Sequence, residues 1–315
     1  MSPDQGKVIM ISDKRHGLPF SKGMLAQSFT ATGLPPGRAY AVATAIQQDL
    51  REENELTVTL DRLRGLSAAY LERFEGPEYA ERYVRLRELT KLDKPLIVLI
   101  GGTTGVGKST IAAEIAHRLG ITRISSTDSI REVMRGIFTR DLMPAIHESA
   151  FNAWRGLRVP VPQGANPVIL GFREQTAVVA TGVKAIIDRA ILEGDNLVVE
   201  GIHLVPGYID SSAFKHARVT QLVVGVADEE SHLSHFFIRE VQTEGSRPHD
   251  RYQQSFADIR LLGGYIEDLA REHGIPVVMS HQLDRTVAEA LEMVVSAAIS
   301  KEDVPAGEDD LPDDI

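Results

Sequence analysis

Cysteine is absent from all 315 residues. That excludes a disulfide scaffold, a thiolate zinc site and a cysteine nucleophile together, and it fits a reducing compartment. No apolar run approaches the roughly 18 residues that a membrane span needs. The opening "MSPDQGKVIM" also lacks the basic start and apolar centre of a signal peptide. The expectation is therefore a cytoplasmic protein with no membrane partner. An excess of positive charge is missing too: the formal net charge is −10, and "KEDVPAGEDDLPDDI" at 301–315 holds seven acids against one lysine. That stretch reads as a solvated, disordered acidic tail. The rest is only mildly acidic and offers no basic face to a nucleic-acid backbone.

What is present is an ordinary soluble composition, with 43% apolar, 25% charged and only 6% aromatic residues. At this length two domains are expected. Residues 1–92 are mainly helical in pattern. Apolar residues recur at helical spacing in "SKGMLAQSFTATG", "RAYAVATAIQQDL" and "TLDRLRGLSAAYLERF", with an N-cap at Thr59 or Asp61. Over 93–300 the pattern changes. Apolar runs of the kind found in strands buried on both faces appear at "LIVLIGG", "ITRIS", "NLVVEG", "TQLVVGV" and "IPVVMS", with helix-period segments between them. Alternating strands and helices imply an α/β fold, a parallel sheet flanked by helices with right-handed crossovers.

Directly after the first of these runs comes "GTTGVGKS", which completes G-x-x-x-x-G-K-[ST] between a strand and a helix, the context that this phosphate-binding loop requires. Gly102, Thr103, Thr104, Gly105, Val106, Gly107, Lys108, Ser109 and Thr110 are expected to hold ATP. Backbone N–H groups would cradle the phosphates, Lys108 would add a charge near the β- and γ-phosphates, and Ser109 a hydroxyl for Mg²⁺. Glu200 ends a neighbouring strand, where an acid can join the Mg²⁺ shell or simply begin a turn.

One strand on, "SSTDSIREVMR" puts Asp128 at the carboxyl edge of the sheet. There it can take the proton of an attacking hydroxyl, while the plainer alternative is that Asp128 or Ser129 caps the helix. Arg131 and Arg135, four apart, share a helix face and can grip an anionic acceptor. The stretch "FIREVQTEGSRPHDRYQQSFADIR" breaks helical periodicity and carries Arg239, Arg247, Arg251 and Arg260. Arg247 and Arg251 are the expected flap that closes over the polyphosphate and excludes water. No histidine cluster suggests a resident metal; His232 and His235 can meet on one helix turn and read as structural. These residues point to a P-loop kinase acting on a small anionic alcohol.

The pattern resembles the 2-phosphoglycerate kinase family, P-loop kinases with an ATP-cone-like N-terminal domain. The likeness lies in "IGGTTGVGKSTIAAEIAHRLGITRISSTDSIREVMR", "MPAIHESAFNAW", "VVEGIHLVPG" and "RPHDRYQQSFADIRLLGGYI". It implies transfer of the ATP γ-phosphoryl to the 3-hydroxyl of 2-phosphoglycerate, giving 2,3-bisphosphoglycerate. It also implies that His147, Ser149 and Trp154 line the acceptor pocket, with His203 a weaker member; Trp154 reads equally as a core aromatic. The first domain resembles an ATP-cone in "VIMISDKRHGLPFS", but Lys14-Arg15-His16-Gly17 has a histidine where such turns carry an acid or amide. A regulatory nucleotide site and a docking or oligomerisation module both stand open for it. Two rivals remain for the whole: a kinase for another small anionic hydroxy compound, and a non-catalytic ATP sensor.

Overall fold

The computed structural model describes residues 8–12, 17–89, 93–242 and 249–300, and the side chains of 237–242, 249–251 and 300 lie outside that description. The expected acidic tail at 301–315, the turn residues Lys14, Arg15 and His16, and the flap residue Arg247 lie outside the described residues. The chain divides between Leu92 and Asp93 into two units, each with its own core.

In the first unit β1 (Met10–Ser12) lies between antiparallel β2 (Gly17–Pro19) and parallel β3 (Thr57–Thr59). Around this sheet are α1 (Lys22–Thr30), α2 (Pro36–Glu52), α3 (Leu60–Phe74) and α4 (Pro77–Leu89). Their starts follow local chemistry. Ser21 Oγ accepts the Met24 N–H and Thr59 Oγ1 the Arg62 N–H, while prolines open α2 and α4, where the missing N–H costs nothing. In α2 the buried face runs Ala39, Val42, Ala43, Ile46 and Leu50, a stripe at helical spacing. It packs into a core with Phe29, Leu71 and Tyr83, whose rings meet edge to face at 5.6 Å in the Phe29–Tyr83 pair.

The second unit is built on a parallel five-stranded sheet. Its strands are β4 (Leu96–Gly101), β5 (Arg123–Ser126), β6 (Leu197–Glu200), β7 (Arg218–Gly225) and β8 (Val277–Met279), in the order β5-β6-β4-β7-β8. Central β4 is buried along its whole length, which is why its sequence is a continuous apolar run. Helices α5 (Lys108–Leu119), α6 (Thr127–Ile137), α7 (Pro167–Glu193), α8 (Glu229–Gln242), α9 (His249–Gln254), α10 (Phe256–Glu272) and α11 (Leu283–Ser300) complete it. Ile97, Leu99 and Val199 project toward α7, and Val223 toward α10, on one face. The chain leaves β4 for β5 in the opposite direction, so right-handed crossover puts α5, with α11 packed on it, on the other face. Among the described residues no helix is long and apolar enough to cross a membrane.

Strand order and register bring five loops to one edge. Ile100 pairs with Glu200, Glu200 with Ser126, and Gly101 with Val223. The segments after β4, β5 and β6 therefore emerge side by side.

Candidate active site

The segment after β4 folds as a tight loop because three glycines take positive φ: Gly102 at 133°, Gly105 at 87° and Gly107 at 87°. At Gly105 any Cβ would run into the Phe236 ring, so the position is closed to side chains. Gly107 caps α5 without a side chain, so the first N–H groups of that helix have no cap from it, and such an open helix start favours an anion. Ser109 and Thr110 are exposed there, whereas Val106 and Thr103 are buried. Thr103 Oγ1 donates to Ile259 O of α10 at 3.0 Å.

Lys108 is only 8% exposed, and its ammonium donates to Thr103 O at 2.5 Å. Desolvation pushes its pKa down, while the carboxylates of Glu200 and Asp128 oppose that shift. The two acids that favour its charged form come from the end of β6 and the first turn of α6.

Asp128 sits in the first turn of α6 and does not cap it. Ser126 does, accepting the Ser129 N–H at 3.0 Å. The Asp128 carboxylate is 71% exposed, 3.7 Å from Arg131 Nε. Arg131 is committed elsewhere through Nη1, which donates to Ile146 O at 2.9 Å and Glu148 O at 3.0 Å, and its buried Nε has no hydrogen-bond partner. Arg135 pairs with Glu132 at 2.7 Å and also buries an unpartnered Nε.

Between α6 and α7 lie two short 3₁₀ helices, Pro144–His147 and Ala150–Gly156. His147 Nε2 donates to Phe138 O at 2.8 Å, which fixes the turn before it. Trp154 is 38% exposed, with the Arg155 guanidinium carbon 5.5 Å from its ring centroid, and so is not a core aromatic. Ser149 Oγ is buried without a partner.

His203 is fully buried beyond β6, and both ring nitrogens are occupied, so it has none to offer a ligand. Gln175 Nε2 donates to Ala145 O at 2.6 Å and Glu148 O at 3.1 Å, so its Oε1 is the acceptor facing His203 Nε2 at 2.8 Å. The His203 proton is therefore on Nε2, and Nδ1 accepts the Thr127 hydroxyl at 3.0 Å. Burial, with Arg131 and Lys108 nearby, pushes the imidazole pKa down to about 4 against the pull of Asp128. The result is a ring of contacts from Thr127 through His203, Gln175 and the 145–148 backbone to Arg131, back on α6. Gln175 and Thr127 carried no signal in the sequence: an amide inside a 27-residue helix and a hydroxyl before an acid look like surface residues.

The remaining arginines separate. Arg260 is spent on Val226 O at 2.6 Å and Ala227 O at 3.0 Å. Arg239 and Arg251 are within α8 and α9, but their side chains, like the whole of Arg247, lie outside the described residues. Among the described residues no group of three or more His, Asp or Glu could hold a metal ion by itself.

A glycine-rich loop and helix N-terminus on the central strand of a parallel sheet, with acids at the neighbouring strand ends, is the P-loop α/β architecture. No family model matches the sequence. A 2-phosphoglycerate kinase of Methanothermobacter thermautotrophicus is 40% identical over 289 residues, covering 92% of this chain and 94% of that protein. One from Pyrococcus furiosus is 40% identical over 288 residues, covering 91% and 93%. Among solved structures, shikimate kinase from Acinetobacter baumannii in complex with shikimate is 19% identical, with a TM-score of 0.38 over 66% of this chain and 97% of that one.

Proposed function

Because the chain belongs to the 2-phosphoglycerate kinase family, we propose that it transfers the γ-phosphoryl group of ATP to the 3-hydroxyl of 2-phosphoglycerate, giving 2,3-bisphosphoglycerate and ADP. The observation that supports this most strongly is the buried Lys108 ammonium, held at the sheet edge within the fields of Glu200 and Asp128.

The loop fits a polyphosphate. Its glycines take the positive φ that the tight turn needs, and the α5 N-terminus has no side-chain cap. Residues 102–110 would hold the nucleotide. Ser109 and Glu200 supply hard oxygen donors of the kind Mg²⁺ prefers, and when bound the ion screens the charge on the phosphates. Asp128, exposed and free of the helix cap, takes the proton of the acceptor hydroxyl as its oxygen bonds to the γ-phosphorus. The bond to the ADP oxygen breaks, and Lys108 meets the negative charge that develops there. Arg131, Arg135, His147, Trp154 and His203 form or support the acceptor side, His203 from behind. Arg247 and Arg251 are the proposed flap that excludes water. The first unit is proposed as an ATP-cone-like module.

A coupled ADP assay across glycerate phosphates tests the acceptor, with the product identified by phosphorus NMR. Turnover of 2-phosphoglycerate to 2,3-bisphosphoglycerate is expected. Turnover of another hydroxy acid with none on 2-phosphoglycerate overturns the acceptor, and tight ATP binding without transfer to any acceptor overturns the kinase mechanism.

A further inference from the structure

Three consecutive carbonyls of the phosphate loop are each met by a side-chain donor. Lys108 Nζ takes Thr103 O at 2.5 Å, His232 Nε2 takes Thr104 O at 2.8 Å, and His235 Nδ1 takes Gly105 O at 2.9 Å. A carbonyl can only accept, so the proton of His232 is on Nε2 and that of His235 on Nδ1.

Both histidines come from α8, three residues apart and therefore on one face. His232 is fully buried, stacked on Phe236 at 5.3 Å between centroids and edge-on to Phe256 at 5.4 Å. Phe236 in turn stacks on Tyr252 at 4.8 Å. His232 Nδ1 is buried with no partner. A second proton there would be stranded in an aromatic pocket, and burial duly pushes the imidazole pKa down. A ring held neutral, stacked and single-donor has one use for its N–H, and that use is the loop carbonyl.

In a trans peptide the C=O and the following N–H point in opposite directions. Turning the Thr104 and Gly105 carbonyls onto α8 therefore turns the Gly105 and Val106 N–H groups away from it, toward the mouth of the loop. Among the described residues neither N–H has a backbone acceptor. The loop's phosphate-facing donors are thus set by groups on its far side.

We propose that His232 and His235 are positioning residues for the phosphoryl donor, clasping the phosphate loop from α8 so that the Gly105 and Val106 N–H groups are fixed toward a bound polyphosphate. The inference rests on the nucleotide half of the proposed function and is independent of the acceptor.

The test is calorimetric titration of the full chain with ADP and Mg²⁺. Two replacements remove the donor, His232→Phe and His235→Ala, and two keep an amide N–H near the same position, His232→Gln and His235→Asn. Each donor-free variant is expected to bind ADP about tenfold more weakly, the effect of one buried hydrogen bond. The donor-bearing partner should stay within about threefold of the native chain, with 2-phosphoglycerate affinity unchanged throughout. Long-range ¹H–¹⁵N NMR should find the His232 proton on Nε2. If donor-free and donor-bearing variants bind ADP alike, whether tightly or weakly, the clasp is overturned, as it is by a His232 proton on Nδ1. A native chain that binds no ADP overturns the nucleotide reading itself, a distinguishable result.

Discussion

Thr127 and His203 meet at 3.0 Å, joining the helix that carries Asp128 to the loop just beyond Glu200. The contact works only with a neutral imidazole, because Nδ1 must accept while Nε2 donates to Gln175.

Acid should therefore unfold the protein through this ring. An unfolded histidine titrates near 6.5, whereas His203 in the fold is held down to about 4. Its contribution is complete above the unfolded value and is lost as pH falls toward the folded one, amounting to about 2 kcal/mol by pH 5. His232 is shifted in the same direction and adds to the loss. Urea unfolding at pH 7.5 and 5.0 measures it. The native chain should lose more stability on acidification than His203→Gln, and equal losses would refute the assignment.

Gln175→Leu removes the shared donor to Ala145 O and Glu148 O and leaves the His203 N–H unpaired. A loss of about 2 kcal/mol is expected in urea unfolding. Because those carbonyls belong to the proposed acceptor wall, the acceptor KM should rise while the ATP KM stays near native. A parallel rise in both would show that the ring does not act on the acceptor side.

Asp128 and Ser126 divide chemistry from capping. Asp128→Asn should lower kcat by about 10²–10⁴ with only a small change in melting temperature, since the exposed carboxylate caps no backbone N–H and its pairing with Arg131 is at the surface. Ser126→Ala should cost about 1 kcal/mol of stability. Full activity in the asparagine variant would remove Asp128 from catalysis.

Gly105 and Gly120 both take positive φ, 87° and 68°, but Gly120 faces open space whereas Gly105 faces Phe236. Gly120→Ala should cost about 1 kcal/mol from backbone strain alone. Gly105→Ala adds overpacking of about 1–3 kcal/mol and should weaken ADP binding. Thermal melts and ADP titration of the two variants decide this, with similar effects in both counting against a closed cradle.

Inner strands of the second unit were legible because burial on two faces demands apolar runs, as in Leu96–Gly101 and Leu197–Glu200. The "ITRIS" strand instead lies at the sheet edge, with Arg123 and Ile124 exposed and Ser125 and Ser126 half-buried, and is not buried on both faces as its sequence suggested. The three-residue strands of the first unit were not. Met10–Ser12, Gly17–Pro19 and Thr57–Thr59 are too short to display a period of two, and Thr57–Thr59 reads only as the approach to the α3 cap. In the site, residues whose type is tied to a loop or strand end, such as Lys108, Asp128 and Glu200, stood out. Those defined by long-range partners did not. His232 and His235 were visible as a pair on one turn, but their role depends on carbonyls 128 and 130 positions away, which no local pattern encodes.

The central strand has a further consequence during synthesis. Ile97 of β4 pairs with Leu197, and Leu96 with Arg218, so neither neighbour exists when β4 is made. At about 5–20 residues per second the ribosome needs roughly 5–20 s to supply the first of them. For that interval the most apolar segment of the chain is an unpaired strand, and the phosphate loop that follows it has no sheet edge to stand on. This is the window in which a nascent chain would most need shielding by a chaperone.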